Sequence, residues 1–186
     1  MQWAVDHGCD IISMSIGGNG DPPAEQTLLR NTCVNVLNAG VIAAIAAGNE
    51  GNKLSQYPIP FNVALPGGCP PPYLDPDQQQ NPGGLSCSVC VGAVDSNDVA
   101  ADFTSHGPRD WSESDYADYP YTPGSQSEFG LIRPDVCAPG VDIISTDSWN
   151  TSGYQTKDGT SMATPCVAGC MALMLSKNPN ATPAEL

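Results

Sequence analysis

Two apolar-rich runs, residues 11–16 and the unbroken 41–46, flank a segment of helical periodicity, and this succession restricts the fold more than any other feature. The first run, Ile-Ile-Ser-Met-Ser-Ile, stops at Gly17-Gly18, and the second stops at Gly48. Between them Leu29, Cys33, Val36 and Leu37 recur at helical spacing, and Gly40 stands where a helix C-cap needs a residue of positive φ. Strands that are apolar throughout, rather than on alternate positions, are covered on both faces, which is the pattern of a parallel sheet flanked by helices. Further short strands are expected near 89–94 and 141–145. A last helix is expected from about 161 to 176, apolar on every side and therefore buried all round. The predicted fold is three-layer α/β with a mostly parallel sheet.

The chain has 186 residues, enough for one domain with a real core. Six basic residues against twenty acidic ones leave a formal charge of -14, which argues against nucleic acid or an anionic membrane as partner. No apolar run reaches the ~18 residues of a membrane span, and the residues after Met1 lack the basic start and apolar core of a signal peptide. Residues 3–8 read as the last turns of a helix, and Thr182-Pro183-Ala184-Glu185 has the cap, proline and glutamate of a capping box. The expectation is a partial domain spanning 1–186 and truncated at both ends, with surface insertions at about 66–86 and 109–129.

Eight cysteines lie at positions 9, 33, 69, 87, 90, 137, 166 and 170, without the spacing of a disulfide framework. Most sit in apolar segments and read as small buried hydrophobes. A loop-closing disulfide between Cys69 and Cys87 or Cys90 is the alternative in an oxidising compartment; zinc at Cys87-x-x-Cys90 lacks a second pair of ligands. Asp95-Ser96-Asn97-Asp98 reads as a solvated turn, because a calcium loop of the EF-hand type needs Gly where Ala100 stands. No metal ligand set is predicted. Asn150-Thr151-Ser152 and Asn180-Ala181-Thr182 are formal glycosylation sequons.

One segment carries chemistry. Gly159-Thr160-Ser161-Met162-Ala163-Thr164-Pro165 leads directly into the last helix. A serine there lies close to free backbone N–H groups and the positive end of the helix dipole, where developing negative charge is stabilised. Read alone, Ser161 is more simply a plain helix cap, since serine is a favoured cap residue. The combination of segments decides between the two. The 159–165 segment continues into Val167-Ala168-Gly169 and resembles the nucleophile motif of the subtilisin-like serine proteases, the subtilases. Ala46-Ala47-Gly48-Asn49-Glu50-Gly51 resembles their oxyanion-hole segment, Ser13-Met14-Ser15-Ile16-Gly17-Gly18 their substrate-pairing strand end, and 133–140 the stretch before the nucleophile.

The resemblance implies a serine endopeptidase working through an acyl-enzyme on Ser161. Asn49 Nδ2 and the Ser161 backbone N–H would form the oxyanion hole, supported by Thr160. The backbone of Ser15, Ile16 and Gly17 would hold the peptide substrate as an added strand, with Ala47 and Gly48 walling the pocket and Glu50 near it. No cofactor is required for the chemistry, and structural calcium has no support beyond the family. In this family the catalytic Asp and His precede the serine, and no segment here matches them. His7 and His106 read as ordinary surface or loop histidines. The chain alone is therefore expected to be inactive and to need the upstream half of the domain, and the parent protein is expected to be exported. The alternatives are a peptide-binding module that does not cleave, and a structural fragment with no stable fold of its own.

Overall fold

The computed structural model describes residues 1–19, 23–70, 86–109 and 131–186. The core of the fold is a sheet of four parallel strands in chain order: β1 (Ile11–Met14), β2 (Ile42–Ala46), β3 (Ser88–Val94) and β4 (Val136–Pro139). Among the described residues three helices accompany it: α1 (Gln2–Asp6), α2 (Pro23–Asn38) and α3 (Thr160–Lys177). A separate antiparallel hairpin is made by β5 (Ile143–Thr146) and β6 (Tyr154–Lys157). The α/β architecture with a parallel sheet agrees with the sequence expectation.

The local reasons are simple. Every residue of β2 is buried, because it pairs with β1 on one side and β3 on the other and is covered on both faces. Its alternate residues serve different layers. Ile42 and Ala44, with Val91 and Ala93 of β3, pack against Ala163, Val167, Ala168 and Met171 of α3. On the opposite face Cys33 and Val36 of α2 pack with Val41, Leu65, Cys69 and Cys87. Helix α2 ends as expected, with Gly40 at φ +81 and its N–H donated to Leu37 O.

Three expectations need correction or completion. Helix α3 is not buried all round: it crosses all four strands with a stripe of Thr160, Ala163, Thr164, Val167, Ala168 and Met171, while Cys166, Cys170, Leu173 and Met174 face outward. Its composition is apolar on every side, yet Leu173 and Met174 are left exposed. The strand expected near 141–145 belongs to the β5–β6 hairpin and not to the parallel sheet. Strand β4 comes from a segment read only as a motif, since four residues between Pro134 and Gly140 are too short to show a period. The calls of insertions at about 66–86 and 109–129 lie mostly outside the described residues; residues 66–70 and Arg109 are buried. At the other end Thr182 N–H donates to Glu185 Oε2 at 2.8 Å, the side-chain half of a capping box.

Candidate active site

The C-terminal ends of β1 and β2 and the N-terminus of α3 meet around a cleft of about 500 Å³, within the size range of small-molecule and peptide pockets. Ser15, Gly17, Gly48, Asn49, Thr160 and Ser161 all line it, at the end of a parallel sheet where such folds place ligands.

Ser161 sits in the first turn of α3, half-buried. Its backbone N–H has no acceptor among the described residues, as expected of a first-turn amide. Gly159 precedes it as the N-cap with φ +151, a conformation open to glycine and strained for other residues. Asn49 is fixed by the same turn. Its Oδ1 accepts from Thr160 N–H at 2.9 Å and from Thr160 Oγ1 at 3.1 Å. With the oxygen so occupied the amide orientation is determined, and Nδ2 remains a donor without a partner among the described residues. Thr160, fully buried, also joins its hydroxyl to the backbone of Gly48, 3.3 Å from both N and O. The donor of β2's end and the serine of α3 are thus tied together by a threonine between them.

The turn after β2 is itself locked. Gly48 has φ +108, and a Cβ there would lie 2.7 Å from Glu50 Oε2 and 2.8 Å from Ser105 Oγ. Glu50 Oε2 accepts from Asn49 N–H at 2.7 Å, and Ser105 Oγ accepts from Glu50 N–H at 3.0 Å. The carboxylate expected near the pocket is therefore engaged in shaping the Asn49 turn. Across the cleft Ser15 Oγ donates to Ser161 O at 2.9 Å, which docks the end of β1 onto α3. Ile16 is 71% exposed at the rim. Gly18 pairs antiparallel with Leu65, and a Cβ on Gly17 would strike Ala64 at 2.9 Å, so the segment 64–65 backs the cleft, with Ala64 lining it.

Of the residues singled out from the sequence, Ala47 is the one that turns away. It is fully buried with Val63 and Cys90, because successive residues of an extended chain alternate between faces, and its neighbours Ala46 and Gly48 line the cleft instead. The residues that sequence reasoning missed are Ser105, Tyr57 and Ala64. The 103–108 segment was legible as a motif, but its contact with Gly48 and Glu50 was not. Neither histidine lines the cleft. His7 stacks on Trp3 and its Nδ1 lies 2.8 Å from Trp3 O; His106 is exposed, with Nδ1 against Gly107 O. Asp95 Oδ1 accepts from Asn97 and Val99 N–H groups, and its carboxyl is held below the ordinary range by the Val99 and then the Asn97 hydrogen bond.

Fold and site define an open parallel α/β protein with a serine and an asparagine amide joined at one helix N-terminus. The sequence profile of the subtilase family, Peptidase S8, matches residues 1–186, and the chain belongs to that family. It is 33% identical over all its 186 residues to Subtilisin E of Bacillus subtilis (strain 168), covering 36% of that protein. To a subtilisin of Bacillus pumilus it is also 33% identical, covering 50%. The self-cleaved protease domain of PatA superposes with a TM-score of 0.59 at 26% identity over 95% of this chain and 49% of that one. The chain thus spans between a third and a half of the length of these relatives.

Proposed function

We propose that this chain is the nucleophile and oxyanion-hole half of a serine endopeptidase that hydrolyses peptide bonds through an acyl-enzyme on Ser161. The observation that carries the reading is the Asn49–Thr160 junction: Oδ1 is held at 2.9 Å by Thr160 N–H, which leaves Nδ2 as a donor beside the turn that bears Ser161. A serine attacking a carbonyl needs donors aimed at the oxygen that becomes negative, and fixed donors at a helix N-terminus need no rearrangement as charge develops. The Ser161 N–H, without a protein acceptor among the described residues, is the natural second donor. Substrate enters as an extended strand along Ser15, Ile16 and Gly17, with its side chain directed into the cleft walled by Gly48 and Ala64. The chemistry calls for no metal or organic cofactor.

A serine hydroxyl is a poor nucleophile without a base. Neither His7 nor His106 lines the cleft, so the catalytic His and Asp come from an upstream half of the domain. Two features support a missing neighbour: β1 is paired on one edge only among the described residues, and α3 presents Leu173, 73% exposed, and Met174, 45% exposed. The same half would cover both. Alone, the chain is inactive. We place the parent enzyme outside the cytoplasm, by analogy with its relatives.

The test is a fluorophosphonate probe, which labels activated serines, applied to a protein extended upstream by ~150 residues. Labelling that disappears in Ser161→Ala supports the protease. A folded protein that binds peptide and takes no label is a non-catalytic peptide-binding subtilase. Absence of any cooperative unfolding transition identifies a structural fragment.

A further inference from the structure

On the face of the sheet opposite α3, three cysteines from three separate segments converge. Cys33 lies on α2, Cys69 follows the loop that backs the cleft, and Cys87 immediately precedes β3. All three are buried, Cys33 at 2% exposure and the other two at 0%, among Val36, Val41 and Leu65. Cys69 and Cys87 share this buried cluster with Cys33 as free thiols, and Cys33 is the member that comes from a helix. Polar interaction with Cys69 first and Cys87 second holds the Cys33 thiol below the ordinary range. Burial, followed by the Cys33 contact, pushes Cys69 up; the Cys33 contact, followed by burial, pushes Cys87 up. Cys90 is not a member. It falls in a separate small cluster with Ala47 and Val63, and burial drives its thiol up to about 12. No group of three His, Cys, Asp or Glu with the arrangement of a metal site occurs among the described residues.

We propose that Cys33 is the common partner of an exchangeable disulfide, made with either Cys69 or Cys87 while the third thiol stays reduced beside it. The oxidant is a low-molecular-weight disulfide, RSSR. The Cys33 thiolate attacks one sulfur of RSSR and expels RS⁻. Cys69 or Cys87 then loses its proton and attacks the Cys33 sulfur of the mixed disulfide, expelling the second RS⁻. Two protein thiols and RSSR thus become one protein disulfide and two RSH. Because the cluster is closed to solvent in the folded state, the exchange takes place before the core closes or through its local opening. The loop-closing pairs suggested by spacing alone, Cys69 with Cys87 or Cys90, are replaced by a link from α2. Bonded to Cys69, it ties α2 to the back wall of the cleft; bonded to Cys87, it ties α2 to the start of β3.

The sequence allows a clean test on the full-length protein produced in an oxidising medium. Trypsin places Cys33 alone in the peptide 31–53, and Cys69, Cys87 and Cys90 together in 54–109. After alkylation in denaturant without reduction, the expected product is a reducible cross-link between these two peptides. It disappears in Cys33→Ser and persists in both Cys69→Ser and Cys87→Ser, each time through the remaining partner. Reductant should lower Tm by roughly 5–15 °C in the unmutated protein and leave Cys33→Ser unmoved. Full alkylation of all four cysteines without reduction overturns the proposal, as does a disulfide confined within 54–109 or loss of the cross-link in only one of the two partner variants. Fluorophosphonate labelling is independent of each of these outcomes.

Discussion

The two faces of the parallel sheet use the same strands for different purposes. The α3 face is hydrocarbon against hydrocarbon, with Ile42, Ala44, Val91 and Ala93 beneath Ala163, Val167 and Met171. At its end lies a polar network in which Thr160, Asn49 and Gly48 hold one another. The α2 face is sealed by sulfur and branched aliphatics, and it meets the cleft through the backbone of Leu65, which pairs with Gly18. The polar contacts of the proposed site are thus gathered at one strand end, while the opposite layer is packing. Small Ala residues on β2 let α3 approach closely, which brings the helix N-terminus to the strand end where Asn49 begins.

Substitutions should separate the layers, most strongly at the site. Ser161→Ala is expected to reduce turnover of the extended protein to background while leaving Tm and the Cys33 cross-link in place; peptide hydrolysis and thermal melts measure both. Asn49→Ala should lower kcat by about 10²–10³ with little change in KM, a figure carried over from removal of the corresponding donor in a subtilisin. A KM effect alone would assign Asn49 to ground-state binding. Thr160→Val removes the hydroxyl that braces Asn49 and Gly48, and roughly a tenfold fall in kcat is expected from the ~1–1.5 kcal/mol of such a hydrogen bond.

On the other face Val36→Ala should cost about 1–3 kcal/mol in urea unfolding through the cavity it leaves, with kcat unchanged. A fall in kcat comparable to that of Thr160→Val would show that the layers are coupled. The smallest effect concerns Asp95. Its carboxyl is depressed in the folded state, so its contribution is present above the ordinary carboxylate pKa and fades as pH falls through the depressed value. Asp95→Asn should flatten the acid limb of stability slightly, read from urea midpoints between about pH 5 and 2.

Much of this was legible in sequence, for physical reasons that also explain what was not. The apolar run that became β2 could only be a strand covered on both faces, and Gly40 could only end α2. Ser161 and Asn49 were legible because their neighbours form recognisable runs. Strand β4 was hidden by its brevity, and β6, Tyr-Gln-Thr-Lys, by its polarity. Hydropathy says that α3 is apolar but not which side has a neighbour, so Leu173 and Met174 were misjudged. Ser105 was missed as a support of the Asn49 turn because it lies 55 positions from Glu50, and no local pattern encodes such a distance. Cys33 went unpaired with Cys69 and Cys87 for the same reason.

The bond from Thr160 N–H to Asn49 Oδ1 spans 111 positions of chain. Four strands, β3 to β6, lie in the chain between the two partners, so the junction exists only in the assembled sheet. Donor and serine are therefore neighbours in topology alone, and a change that displaces β3 or β4 is expected to part Asn49 from Ser161 without touching either residue.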